Sequence, residues 1–555
     1  MTAQELAKQN DKLKEIRSMI WSVWVEINNY ISPRYGTTLL KMSPGVKQTA
    51  NIFDSTAIAC NEDLAAWLHS NLTSMGMEWF SLKMAGRDTE GVDKDAMEWL
   101  EECKQREYDA FAASNFQGQI QQFYLDLPSF CTACLYLEEA ETNEPGFGGF
   151  QFKTLAPGEY SFALGPDGKA CALFREFELE AQIAFDKWGS NVSQKVKDML
   201  DAKPMEKLTF LHAVFPRGWY GGGHKTGKEY ASYYVELDSK KIMTQGGYEE
   251  FPYFVVPWLR SSGEIYGRGP GWTALPDIKS LNKAKDLGFA EWSLSFRPPL
   301  LQRSRGVLGS IRLTPGGLTT VENTEKDLKQ FITQARFSDN RIKEEDLKTS
   351  IREIFHYDKV KYLPPREETG QMTAYETARR YQLMQMLLGP SAYGNLATHL
   401  FDPMIERGFY MMMRKGMFSR PPDSIVQMAR SGREHFKVEY EGPLAKAQRS
   451  SEIEAIDSAI MEIGNMAQLF PDITDNFDSD EAAQHIGRVR GVPAKIMRSK
   501  EEIQKIRTAR GQAALQQRAL EQTDIASGAA QKLAGAAKSM GPGGMNAMAR
   551  AAGQV

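Results

Sequence analysis

A helical stretch that runs into Arg297, Pro298 and Pro299 constrains this chain more than any other feature. Ile278, Leu281, Ala284, Leu287 and Glu291 recur at three- and four-residue spacing, which predicts a helix over 276–297. The two prolines remove backbone donors and push the residue before them out of the α region, so the helix must stop there. A compact strand-and-turn module follows, from Leu300 to about Arg336, with Pro315, Gly316 and Gly317 at its tip. A second helix is predicted over 338–357, capped by Ser338 or Asp339, with Ile342, Leu347, Ile351 and Ile354 on one face. Two helices that bracket a short, turn-rich module project it away from the body.

The flanking regions are longer and more varied. Before the helix pair, helical spacing predicts elements over 4–31, 54–73, 93–114 and 116–134, with Asp54 or Ser55 as cap of the second. From Leu135 the period becomes alternating, with Phe152, Leu155, Tyr160 and Phe162 separated by glycines and prolines. Helical pattern returns over 178–203, and strands are predicted at 208–215, 230–237 and 251–258. After the pair comes a polar loop, 358–372, holding Pro364 and Pro365. A long helix or helix pair then covers 373–416, broken near Gly389 and Pro390. The region 417–524 holds a strand at 436–440 and several helices. The stretch 525–555 is rich in Ala, Gly, Gln and Met, and reads as flexible or weakly helical. The fold class is α+β and helix-rich, with no internal repeat.

Charge narrows the function classes. The 67 basic and 71 acidic residues give a formal net charge of −4, which argues against a protein that coats nucleic acid. It leaves room for one that lets nucleic acid slide past. No run of eighteen apolar residues predicts a membrane span, and Met1 to Ile20 lacks the apolar core of a secretory signal. Five cysteines, an odd number, fit reduced thiols in a cytoplasm.

Chemical motifs are sparse. Gly222 to Lys228 has the spacing of a phosphate loop, but Glu229 stands where Ser or Thr should hold magnesium. A phosphate loop also runs from a strand into a helix. Here Tyr230, Ser232, Tyr234 and Glu236 alternate with Ala231, Tyr233, Val235 and Leu237, which reads as a strand leaving a glycine-rich hairpin. Cys131 and Cys134 have redox or zinc spacing, yet no second such pair and no paired histidines complete a site. They read as small buried helical residues. The seven histidines are scattered, and Glu138, Glu139, Glu344, Glu345 and Asp346 read as solvated faces. No hydrolase or metalloprotease pattern appears. The expectation is a protein with no catalytic, cofactor or metal site. The run Phe409 to Met413 reads as core.

Several stretches resemble the head-to-tail connector, or portal, family of podovirus-type phages. Trp24 through Pro33, Ile52 through Ala57, Leu64 and Ala65, Leu72 and Thr73, and Trp79 and Phe80 are similar to the family's opening. Tyr266 through Pro270, leading into Leu275 through Asn282, is the most specific match. Met372 through Glu376 and Phe401 through Arg407 follow in order.

The resemblance implies a portal-type wedge: a wing (1–275), a first stem helix (276–297), a clip (298–336) and a second stem helix (337–357). A tunnel loop (358–372), a long wing helix (373–416), and a wing return strand and helical crown (417–524) complete it, before the tail at 525–555. It further implies a ring of about twelve subunits at one capsid vertex of the virion, assembled in the host cytoplasm. Double-stranded DNA would be packaged and ejected through it, with a separate ATPase, the terminase motor, docking on the clip. The other implied partners are a tail adaptor and the major capsid and scaffolding proteins, with no membrane and no enzymatic activity. On that layout Lys359, Lys361 and Arg366 would face DNA in the channel, tempered by Glu367 and Glu368. Arg303, Arg305 and Arg312 would give the clip a basic docking surface.

Two other readings predict different behaviour. A nucleotide-using packaging or repair enzyme built on the Gly222 loop predicts ATP turnover by the lone chain. Another virion ring protein, such as a tail adaptor, predicts a ring without the helix–module–helix insertion.

Overall fold

The computed structural model describes residues 1–43, 45–76, 78–84, 94–142, 146–219, 227–303, 314–315, 317–321, 328–330, 337–357, 393–430, 436–440, 456–466, 478–489 and 500–539. The chain divides into two compact units, Met1–Glu452 and Ile453–Val555.

The first unit begins with helix α1 (Ala3–Tyr30), held by a capping box in which Thr2 and Glu5 satisfy each other's backbone donors. Two helices follow, α2 (Gly36–Leu39) and α3 (Thr56–Leu72), then strand β1 (Phe80–Met84). Helices α4 (Lys94–Ala113) and α5 (Phe116–Phe130) lead into strands β2 (Thr132–Glu139), β3 (Phe150–Leu155), β4 (Tyr160–Leu164) and β5 (Ala170–Glu180). Helices α6 (Ala181–Trp188) and α7 (Gln194–Ala202) precede strands β6 (Lys207–Pro216), β7 (Tyr230–Glu236), β8 (Lys241–Tyr248) and β9 (Tyr253–Pro257).

The helix pair is α8 (Pro270–Phe296) and α9 (Phe337–Ile354), with β10 (Leu300–Arg303), β11 (Leu318–Val321) and β12 (Leu328–Gln330) between them. A helical run from Gly394 passes through a π turn, Ala397–Phe401, into α10 (Asp402–Arg414). Pro403 has no N–H to give the turn before it, and the wider turn accommodates that loss. Helix α11 (Asp423–Arg430) and strand β13 (Phe436–Tyr440) follow.

Strands β4 to β8 form an antiparallel meander in chain order, and β2 lies between β3 and β9 in a second sheet. The meander is covered on both faces by alternating residues. Phe174, Leu211, Phe215 and Tyr233 meet Leu6 and Leu13 of α1, while Phe210 and Met243 meet Trp188 and Val196 of α6 and α7. The largest core joins α1, α3, α4, α5, α8, α10 and the β2 sheet. Within it Phe409, Met411 and Met412 are buried, while Tyr410 is half-buried and Met413 exposed, so the expected core run holds on one face of α10 and not at its end. β3 is an edge strand, and α5 closes that edge with side chains. Asn115 donates to Phe152 O and accepts from Phe152 N, both at 2.8 Å, and Thr154 N donates to Gln119 Oε1 at 2.7 Å.

Four boundaries differ from the sequence expectation. Helix α8 begins at Pro270 rather than at 276, because Pro270 stands in the first turn, where a missing N–H costs no intrahelical bond, and Pro276 lies inside the helix. The fourth helix stops at Phe130, because Cys131 turns left-handed with φ +63° and reverses the chain into β2. Cys131 and Cys134 are therefore buried but not helical: one caps α5 and the other lies in a strand. The stretch 178–203 starts as strand, since β5 pairs with β6 as far as Glu180 opposite Lys207, and only then turns helical. In the second unit, described helices cover 456–466, Ser479–Val489 and Lys500–Ser539, so the helix runs into the tail at 525–539. Arg507 binds Asp480 there through both guanidinium nitrogens.

Glu107 of α4 is fully buried, and neither carboxyl oxygen has a hydrogen-bond partner among the described residues. Burial pushes its carboxyl well above the usual range. The folded chain thus keeps a proton that the unfolded chain loses above its ordinary value, so this group's stabilisation is full in acid and declines as pH rises. Replacing Glu107 with Gln should raise thermal stability at pH 7 by about 1–3 kcal/mol and leave it nearly unchanged at pH 4. Calorimetric melts at both pH values check this; equal effects at the two would contradict it.

Candidate functional site

Helix α8 leaves the body from a backbone contact that only glycine allows. A Cβ on Gly271 would lie 2.1 Å from Ser129 O, and one on Gly267 would lie 2.2 Å from Cys131 O. The turn before α8 therefore sits directly on the α5–β2 reversal. Gly267 N donates to Thr132 Oγ1 at 2.8 Å, and Trp258 N to Cys131 O at 2.9 Å. Trp24 of α1 closes the other side, with Nε1 donating to Phe130 O at 3.2 Å and its ring set edge-on to Tyr266 at 5.2 Å.

About three turns further along α8, a polar clamp ties it to α9 and to the loop before α3. Buried Asn282 accepts from the backbone N–H of Phe53 at 2.7 Å and of Asp54 at 3.1 Å, and donates to Ile278 O. Asp54 Oδ1 accepts from Thr56 N at 2.9 Å, so Asp54 rather than Ser55 receives the first free amide of α3. Its carboxylate also meets Lys348 of α9 at 3.7 Å and Lys285 of α8 at 4.0 Å. Burial alone would raise the Asp54 carboxyl. The Thr56 hydrogen bonds and the two lysines outweigh it and hold the carboxyl below its ordinary value. Lys285 further pairs with Glu344 at 3.3 Å, and Ser350 Oγ donates to Asp277 at 2.7 Å. The helices run antiparallel, and the chain between them returns as a small sheet. β10 is central, parallel to β11 and antiparallel to β12.

α10 is tied in by Arg407, 3% exposed. It donates to Leu137 O at 3.3 Å and Glu250 O at 2.9 Å, and lies 5.2 Å over the Tyr248 ring. The Tyr440 hydroxyl binds Asp402, and β13 pairs with β1, so the later segment closes onto the N-terminal third.

Of the residues singled out in the sequence, Arg303 ends β10, opposite Val321. Arg305, Arg312, Lys359, Lys361 and Arg366 lie outside the described residues, as do Met372 through Glu376 and residues 220–226 of the glycine loop. The strands flanking that loop are antiparallel partners, Pro216 opposite Tyr230, so no helix follows it. Burial raises the thiols of Cys131, to about 12, and of Cys134. Among the described residues no three His, Cys, Asp or Glu side chains group as metal ligands, and no helix is long and apolar enough to cross a membrane.

Asn282 and Asp54 were not picked out as site residues by the sequence. The available signal was a polar residue on the otherwise apolar stripe Ile278, Leu281 and Asn282. Replacing Asn282 with Ala should leave the Phe53 and Asp54 amides without their acceptor and loosen the 52–56 loop by about 1–3 kcal/mol. Hydrogen exchange at Phe53 and Asp54 reads this as roughly tenfold or more faster opening; unchanged protection would contradict the clamp.

A family model described as the bacteriophage head to tail connecting protein matches residues 3–497. A protein of Salmonella phage epsilon15 described as a portal protein is 25% identical over 562 residues, covering 99% of this chain and 98% of that one. A protein of Bordetella phage BPP-1 described as a probable portal protein is 26% identical over 524 residues, covering 92% of this chain and 91% of that one. Among solved structures, the virion of a native gene transfer agent particle aligns at 12% identity with a TM-score of 0.33, over 76% of this chain and 94% of that one. The neck of the same kind of particle, computed with C12 symmetry, aligns at 10% identity with a TM-score of 0.34, over 73% and 87%. The chain belongs to the bacteriophage head-to-tail connecting protein family.

Proposed function

We propose that copies of this chain close into a ring of about twelve subunits at one capsid vertex, through which double-stranded DNA is packaged and ejected. The observation that carries this reading is the match to the connector family over residues 3–497. The helix pair with a small sheet at its end agrees with it, because a tail adaptor was expected to lack that insertion. The flanking strands of the Gly222 loop give the nucleotide-enzyme reading no support.

On this reading α8 and α9 form the stem, and the module 298–336 is the clip. Residues 358–372 are the loop that meets the channel. Arg303, Arg305 and Arg312 would present positive charge to a terminase motor or a tail adaptor. Lys359, Lys361 and Arg366 would touch phosphates without reading bases. A chain with net charge −4 suits a channel that must not hold DNA by releasing its counterions. Major capsid and scaffolding proteins would surround the ring at the virion's portal vertex.

Negative-stain images of the purified chain at micromolar concentration should show closed rings with an axial hole. A chain that stays monomeric even with its shell and scaffold partners present would contradict this. Two triple variants should then separate the two loops. Arg303, Arg305 and Arg312 changed to Ala should keep the ring but abolish motor-driven packaging. Lys359, Lys361 and Arg366 changed to Ala should keep the ring and motor docking but alter DNA retention. Wild-type packaging and retention by either variant would overturn that variant's assignment.

A further inference from the structure

One fully buried histidine joins the two sheets of the first unit. His212 of β6 is 1% exposed. Its Nδ1 meets the Tyr253 hydroxyl of β9 at 2.5 Å, and its Nε2 meets Ser232 Oγ of β7 at 2.9 Å. The ring lies flat on Tyr234, its register partner in β7, with centres 4.0 Å apart. Tyr253 stacks on Tyr136 of β2 at 4.6 Å. The Tyr136 hydroxyl meets that of Tyr248 in β8 at 3.1 Å, and Tyr248 donates to Glu138 Oε1 of β2 at 3.2 Å. At this point hydroxyls and one imidazole hold the meander to the β3–β2–β9 sheet.

Proton counting fixes the charge of the joint. A carboxylate only accepts, so the Tyr248 proton goes to Glu138. Ser232, also bonded to Tyr248, then donates to that hydroxyl and accepts from His212 Nε2. His212 Nδ1 carries no proton and accepts from Tyr253. The chain is complete with a neutral imidazole. A second proton, on Nδ1, would face the Tyr253 hydroxyl proton and place a charge in the core.

Neighbouring cations oppose that proton as well. Arg175 is the register partner of His212 in β5, with Glu159 as its counter-ion at 3.3 Å. Lys187 of α6 lies 5.4 Å over the Tyr234 ring. Arg407 of α10 lies over Tyr248 and pairs with Glu250, and Lys153 of β3 stands opposite Tyr136. Burial first, then Arg175 and Lys187, hold the imidazole well below its ordinary value. Lys187 also lines an open cleft of about 1140 Å³, with Ile183 and Asp186 of α6 on one side and Arg106, Asp109 and Ala110 of α4 on the other. The helical cover of the meander is therefore not packed tightly against α4 there.

We propose that His212 is an acid-operated latch between the meander and the β2 sheet: a proton taken up by its imidazole opens the joint and frees β6 and β7 from the body. The inference goes beyond the ring reading and does not rest on it. The closed joint keeps His212 neutral, whereas an opened one exposes it with the ordinary value of about 6.5. The latch is fully closed above that pH. As pH falls below it, the opening constant rises by up to about tenfold per unit.

Hydrogen exchange of the full-length chain, read by mass spectrometry at pH 7, 6 and 5 and corrected for intrinsic exchange rates, tests this. Amides of β6 and β7 should open about twentyfold more at pH 5 than at pH 7, while those of α3 and α5 change less than about threefold. His212→Gln keeps a donor and an acceptor without a titrating ring, and should remove the rise. His399→Gln, at another half-buried histidine that burial holds low, should keep it, and carries the test if His212→Gln does not fold. A flat wild-type profile, an equal rise in α3 and α5, a rise that survives in His212→Gln, or one that His399→Gln abolishes overturns the latch.

Discussion

The contact between the start of α8 and the α5–β2 reversal governs this molecule. Two glycines, Gly267 and Gly271, let backbone approach backbone to distances no side chain tolerates. The partner surface is equally constrained, since Cys131 holds a left-handed turn with a side chain attached. Trp24, Thr132, Trp258 and Tyr266 wall the contact in, so it is at once dry and hydrogen-bonded. A residue larger than glycine at position 271 would push the helix off its seat, and everything along α8 would move with it.

Beyond that seat, α8 changes partner while its apolar pattern stays constant. Its first turns bury apolar residues in the common core, and its middle is clamped by Asn282, Asp54 and the two lysines. Polar side chains suit this position because the 52–56 loop presents backbone donors there, and unpaired amides beside a buried helix are costly. The outer turns keep the apolar pattern after the body has ended. The helix thus has a rigid base, a clamped middle and an outer end whose large side chains Phe289, Trp292 and Phe296 are exposed.

Much of this was legible in the sequence wherever a signal is local. Periodicity gave α1, α3 and α4 to within a few residues, and the double proline marked the end of α8. Signals that depend on distant partners were not legible. β1 went unread because its partner among the described residues, β13, lies at the other end of the same unit. β8 went unread because Gly246 and Gly247 interrupt its pattern, yet pairing with β7 fixes it as a strand. The end of α5 was overrun because nothing in the composition around Cys131 announces a left-handed residue. The clamp residues look ordinary in sequence, and only the meeting of α8, α9 and the 52–56 loop gives them a role. The arginines and lysines proposed for docking and DNA contact were chosen through family resemblance and loop polarity, not through any packing rule.

The function proposed for this chain depends on its working as one wedge of a closed ring. Charge-detection mass spectrometry of the assembled particle tests that most directly, because mass alone counts the copies. With a subunit of 62.4 kDa, a closed ring should give a single sharp species of about 750 kDa, or roughly twelve copies. A single species at the mass of one chain, or a ladder of open oligomers with no preferred size, would contradict it.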